Sequence, residues 1–288
     1  MSSLPWLPGA VRLFLLLGYV LVMGDLALEA SLPSVDVKIG PGRRSFLLGL
    51  GFMAIATLLE FVVLVWGLAD GDFSQLGDLI SSLFMNPGST GSVLAMRLGL
   101  IGALALLRFL WPVLARQPAI AMLASLIFTF FVSVDGHAGD LGWFTPLLAT
   151  DLVHAMSASI WLGGLMLLWW RLPKMDEALA LRYTRVFSRL ATICFPLAIV
   201  SGIGNGLFHL GLHVSALWMK PYGRIMLAKT LGVAGVMVLA YYLREIALPG
   251  WKRGEGSSHK FRKNLSKELV VGVLILTLSA WLTQTSTH

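Results

Sequence analysis

The stretch SVDGHAGDLGWFTPLLATDLVHAMSASIWLGG, Ser133 to Gly164, carries two histidines and three aspartates at or between two apolar runs, each long enough to cross a bilayer. They are His137, His154, Asp135, Asp140 and Asp151. Charge beside or inside a membrane span is costly, and where it persists it usually faces the bundle interior and marks a site. Asp151 and His154 stand at i, i+3 and share a helix face that Ala158 and Trp161 extend. Further on, Ser201, Asn205, His209 and His213 fall at successive four-residue steps, and Glu60, Arg97 and Lys229 interrupt other apolar runs. Imidazole with thioether and carboxylate suits copper or another late first-row metal. Two histidines on facing helices would serve equally as axial ligands to haem b.

Each of these residues also has a structural reading. A histidine at a helix end, such as His137 or His213, meets headgroups or water. Asp151 answers the positive end of its helix dipole. Glu60, Arg97 and Lys229 form an ion-pair network, and Asn205 bridges helices. What sets the group apart is joint placement on one side of the membrane. No HExxH motif, Walker A sequence, nucleophile elbow or local triad is present, so hydrolysis is not expected, and the chain reads as no enzyme unless it binds haem.

These residues must be positioned by membrane helices. Of 288 residues, 57% are hydrophobic and 13% charged, against roughly 45–50% and about 25% in soluble domains. The expected fold is an all-α polytopic bundle, one membrane domain over 1–288. Eight apolar runs are predicted, near 10–30, 46–69, 92–112, 118–136, 146–170, 187–210, 223–246 and 268–285. LALEA in the first run offers a signal-peptide alternative. Lys38, Arg43 and Arg44 follow that run, however, which is the wrong side for a signal peptide. The single cysteine, Cys194, excludes an internal disulfide and reads as a packed apolar residue. Gly202 with Gly206, and Gly232 with Gly235, have the spacing of close helix contacts in lipid.

The net charge of +7 would suggest nucleic acid in a soluble protein, but the bases gather in alternate loops. Loops 31–45, 108–117, 171–186 and 244–264 are basic, and 247–266 is expected to be a basic cytoplasmic loop. Loop 70–91 has Asp70, Asp72 and Asp78 with no base, 137–145 has none, and 211–222 has only Lys220. The positive-inside rule then puts both termini outside, N-out and C-out, and predicts membrane lipid rather than nucleic acid as the surroundings. His154 falls about 12 Å below the outer start of its helix at 1.5 Å per residue. Glu60, Arg97 and Lys229 also fall in the outer half.

At these residues the chain resembles the copper-resistance protein D (CopD/PcoD) family. GHA at 136–138, DLVHAMSASIWLGGL at 151–165, RVFSRLATICFPLAIVSGIGNGLF at 185–208 and PYGRIMLAKTLGV at 221–233 carry the resemblance, which is strongest over 130–245. It implies an eight-helix protein of the bacterial cytoplasmic membrane that moves copper inward from a periplasmic carrier of the copper-resistance protein C type. That carrier is expected to be a separate chain. By position, His137, Asp151, His154, Trp161, Asn205, Tyr222, Arg224 and Lys229 carry the pattern; the first helix lacks the His-Phe pair of many relatives. The expected site is His137 and His154, with Asp151 orienting or charge-balancing His154. His209 and His213 would pass the ion inward, with Asp135 nearby. A haem-binding membrane electron-transfer protein or oxidoreductase using the same histidines, and a metal sensor or structural partner that transports nothing, are the alternatives.

Overall fold

The computed structural model describes residues 6–32, 42–69, 74, 76–85, 89–111, 113–114, 117–134, 142, 144–210 and 216–285. Its described elements are helical throughout, in the order α1 (Leu7–Ser31), α2 (Gly42–Ala69), α3 (Leu76–Phe84), α4 (Thr90–Leu110), α5 (Pro118–Val134) and α6 (Pro146–Arg171). There follow α7 (Glu177–Leu210), α8 (Ala216–Met219), α9 (Pro221–Tyr242), a π-helical turn (Leu243–Ala247), α10 (Leu248–Lys252) and α11 (Ser258–Leu282).

Seven helices are long and apolar enough to cross a membrane, and α5, with 17 residues, is a shorter apolar eighth. At 1.5 Å per residue α5 covers roughly 25 Å, the lower end of what a bilayer core demands. The chain is a polytopic all-α membrane protein.

Several helices outrun their apolar segments. α7 begins at Glu177 and α11 at Ser258, ten residues before each predicted run. Capping marks these ends: Asp176 Oδ1 accepts from Leu179 N at 2.8 Å ahead of α7, and the Ser257 hydroxyl accepts from Lys260 N at 3.3 Å ahead of α11. Pro146 at N1 and the Thr145 hydroxyl, accepting from Leu148 N at 3.1 Å, start α6. The acidic loop 70–91 contains a short helix, α3, that hydropathy did not reveal.

α1 is the hub, with 72% of its apolar window buried against the other helices. Glycines let it in. A Cβ at Gly18 would lie 2.6 Å from the Gly49 carbonyl oxygen of α2, and one at Gly24 would run into the Gly163 backbone of α6. Small residues thus bring backbones into direct contact where lipid supplies no hydrophobic drive for association. Gly232 meets Ile275 of α11, but Gly235 has nothing within 4 Å, so that half of the predicted pair makes no contact. Cys194 is buried and unbridged.

Successive spans run antiparallel. Arg12 near the start of α1 approaches Glu60 in the second half of α2 and donates to Val132 O near the end of α5. Asp25 near the end of α1 pairs with Arg171 at the end of α6 and accepts from Ser45 at the start of α2. One end of the bundle therefore gathers the starts of α1, α4, α6 and α9 with the ends of α2, α5, α7 and α11.

Candidate functional site

At that end α6, α7 and α9 converge. Asp151 of α6 accepts from Asn205 Nδ2 of α7 at 2.9 Å. One turn deeper, His154 Nδ1 lies 2.8 Å from the Ala198 carbonyl oxygen of α7. A carbonyl only accepts, so Nδ1 carries the hydrogen and donates. Nε2 points the other way, to Lys229 Nζ of α9 at 3.4 Å. The ammonium donates, so the Nε2 lone pair is what meets it. This is the tautomer a metal-binding imidazole requires, with its far nitrogen fixed by a second partner. The fixing partner is Ala198, whereas the sequence suggested Asp151; a one-turn step on the same helix leaves Asp151 facing Asn205.

Gly202 makes room for the ring, since a Cβ there would lie 3.0 Å from His154 Cε1. At the next turn Gly206 receives Met226, whose Sδ would be 3.4 Å from a Cβ at that position. Nearest the bundle end, the rings of His209 and buried Tyr222 stand 5.6 Å apart. Tyr222, Met226 and Lys229 thus form one stripe on α9, facing Gly202, Asn205, Gly206 and His209 on α7 and the Asp151–His154 edge of α6. The Asn205 Oδ1 atom is buried with no hydrogen-bond partner. An imidazole nitrogen, a carboxylate, an amide carbonyl and a thioether are thus carried on the facing edges of α6, α7 and α9, donor types of the kind copper accepts. Among the described residues no group of three His, Cys, Asp or Glu side chains comes together.

The other candidates divide. Asp135, His137, Asp140 and His213 lie outside the described residues. Glu60 pairs with the fully buried Arg97, with Arg12 3.8 Å away. That is an ion-pair network as expected, but Lys229 does not join it: α9 is on the His154 side and its lysine meets the imidazole. Trp161, two turns beyond His154, packs on Phe195 at 5.2 Å and donates its indole N–H to Glu268 of α11. Arg224 turns away to donate to Trp218 O at 3.0 Å, outside the cluster.

Sequence reasoning missed Met226, although it stands i−3 to Lys229, and Glu268, which sat at the edge of a predicted run. It also missed the far-end network of Arg171 with Asp25, Tyr183 and Ser45, and of Arg108 with Glu29. Outside the spans, Arg253 holds the exposed Glu255 carboxyl below its usual range through two hydrogen bonds of 2.9 Å.

Residues 181–282 match the family described as "Copper resistance protein D". The chain is 31% identical over 169 residues to "Copper transport protein CutJ" of Bacillus subtilis (strain 168), which covers 54% of this chain and 29% of that protein. It is also 31% identical over 147 residues to "Copper resistance protein D" of Pseudomonas syringae pv. tomato, covering 46% of this chain and 47% of that protein. The match therefore spans less than half the length of either relative. No solved structure matches the chain.

Proposed function

We propose, from the match of residues 181–282 to the copper resistance protein D family, that the chain is a copper permease of the bacterial cytoplasmic membrane. Copper is the cargo, taken at the His154 end of the bundle. The names of the two relatives, one for copper transport and one for copper resistance, support the reading. The observation that carries it is the His154 imidazole: Nδ1 is anchored on Ala198 and the Nε2 lone pair is turned into the space between three helices.

Lys229 stands where a cation would sit. The ammonium is a tethered stand-in that satisfies Nε2 until an ion displaces it, while Asp151, held by Asn205, balances the incoming charge. His209, beside Tyr222 at the end of α7, stands at the entrance, and His137 and His213 flank the same end in sequence. The basic loops follow the opposite ends of the helices, which by the positive-inside rule makes the His154 end periplasmic and 247–266 cytoplasmic. A periplasmic carrier of the copper-resistance protein C type would deliver the ion. The role is transport, with no catalytic step.

The test is copper binding and copper accumulation with His154→Ala. The variant should insert normally and lose both. Full binding and uptake would make His154 a packing residue, and a Soret band in the purified protein would replace the copper reading with haem.

A further inference from the structure

Asp25, Glu29 and Glu60 each pair with an arginine within the spans. Glu268 does not. It is 3% exposed on α11, and no basic side chain among the described residues forms an ion pair with it. Its hydrogen-bond donor is the Trp161 indole N–H. It also lines a cavity of about 320 Å³ between α6, α7, the π-helical turn and α11, whose walls include Trp161, Phe187, Phe195, Met237 and Phe261. A carboxylate without a counter-ion in such surroundings is far more costly than the neutral acid.

We propose that Glu268 is a proton-binding site, resting as the neutral acid and exchanging its proton with water through this cavity. The geometry fits. The π-helical turn sets the polar Arg244 and Glu245 on the cavity wall, both half exposed at 52%, so the cavity reaches water at the basic-loop end. Arg244 is engaged there, 3.1 Å from Glu245 and donating to Thr192 at 2.6 Å. α7 contributes only the hydroxyls of Thr184, Ser188 and Thr192, α9 contributes Tyr241, and α6 contributes Trp161. On α1, which also packs on α11, Tyr19 bonds Thr129 and Asp25 pairs with Arg171. On α11 itself Arg262 is turned to Trp169, and Lys267 is exposed.

The consequence for transport rests on the copper reading. Trp161, two turns from His154 on α6, lines the Glu268 cavity, which places that cavity on the basic-end side of His154. The ionised carboxylate is stabilised only while a cation is present, so cargo and proton replace one another: Glu268–COOH releases H⁺ to water as the cation arrives and regains it as the cation leaves.

Infrared difference spectra of the full chain in lipid nanodiscs test this. The wild type should show a carboxylic-acid C=O band at neutral pH that shifts promptly in D2O. Glu268→Gln, nearly isosteric and still able to accept from Trp161, should lose it, and Glu268→Asp should restore a displaced band. No Glu268-dependent band, or one insensitive to D2O, overturns the proposal. Adding copper should diminish the band; bound copper that leaves it unchanged overturns the exchange. If copper does not bind at all, the permease reading falls while the D2O result still decides the proton site.

Discussion

Lys229 Nζ lies 3.4 Å from His154 Nε2, so a cation tethered to α9 is directed at an imidazole lone pair of α6. α9 is otherwise a peripheral helix, with 6% of its apolar window buried, which makes an inward lysine there conspicuous. The two residues are 75 positions apart, and neither alone indicates the contact.

If the ammonium competes with copper for Nε2, Lys229→Met should tighten copper binding. A hydrogen bond from a charged donor is worth ~1.5–3 kcal/mol, or about ten- to a hundredfold in affinity. Uptake should nevertheless slow, because nothing then displaces the ion. Chelator-competition titration measures the first effect and copper accumulation the second. Weaker binding in the variant would end the stand-in role.

Asn205→Ala removes the donor that holds Asp151 at 2.9 Å, along with an amide oxygen available to an ion. Supporting groups of this kind typically contribute about 10–100-fold in metal affinity. The same titration should show a loss of that size with unchanged thermal stability.

Asp25→Asn leaves Arg171 buried beside a neutral partner. Breaking a buried pair from one side costs about 3–5 kcal/mol, so the variant should unfold at a clearly lower temperature in detergent. Replacing both, Asp25→Asn with Arg171→Met, should recover part of the loss. Copper affinity should stay near wild type, since this pair sits at the other end of the bundle.

Gly24→Leu should be among the most disruptive apolar substitutions, because a side chain there meets the Gly163 backbone. Gly235→Leu, with nothing within 4 Å, should be nearly neutral. Comparing abundance and melting of the pair checks whether backbone contact at the α1–α6 crossing holds the bundle together.

A reporter active only in the periplasm should be silent when inserted at Gly254, which sits in the exposed turn before α11 with φ +84°. Fused after His288 it should be active. The reverse pattern would put the His154 end in the cytoplasm and exclude capture from a periplasmic carrier.

The long apolar helices were legible because span length and hydropathy are local properties, set by a bilayer about 30 Å thick. All eight predicted runs lie largely within observed helices, including the first and third, whose charges Asp25, Glu29 and Arg97 find partners in the bundle. Asp151 and His154 were likewise visible, because i, i+3 spacing on a helix fixes a shared face. The histidine's partners were not. Ala198 offers a backbone carbonyl, which no residue type reveals, and Gly202 marks the ring's place only once α6 and α7 are packed together. The separation of Lys229 from Glu60 and Arg97, and the absence among the described residues of an arginine for Glu268, follow from which helices are neighbours. Local sequence thus determined what each helix is and which side chains share its face. Tertiary structure alone decided which faces meet, because backbone contact at Gly18, Gly24, Gly49 and Gly163 and the pairing of buried charges depend on residues far apart in the chain.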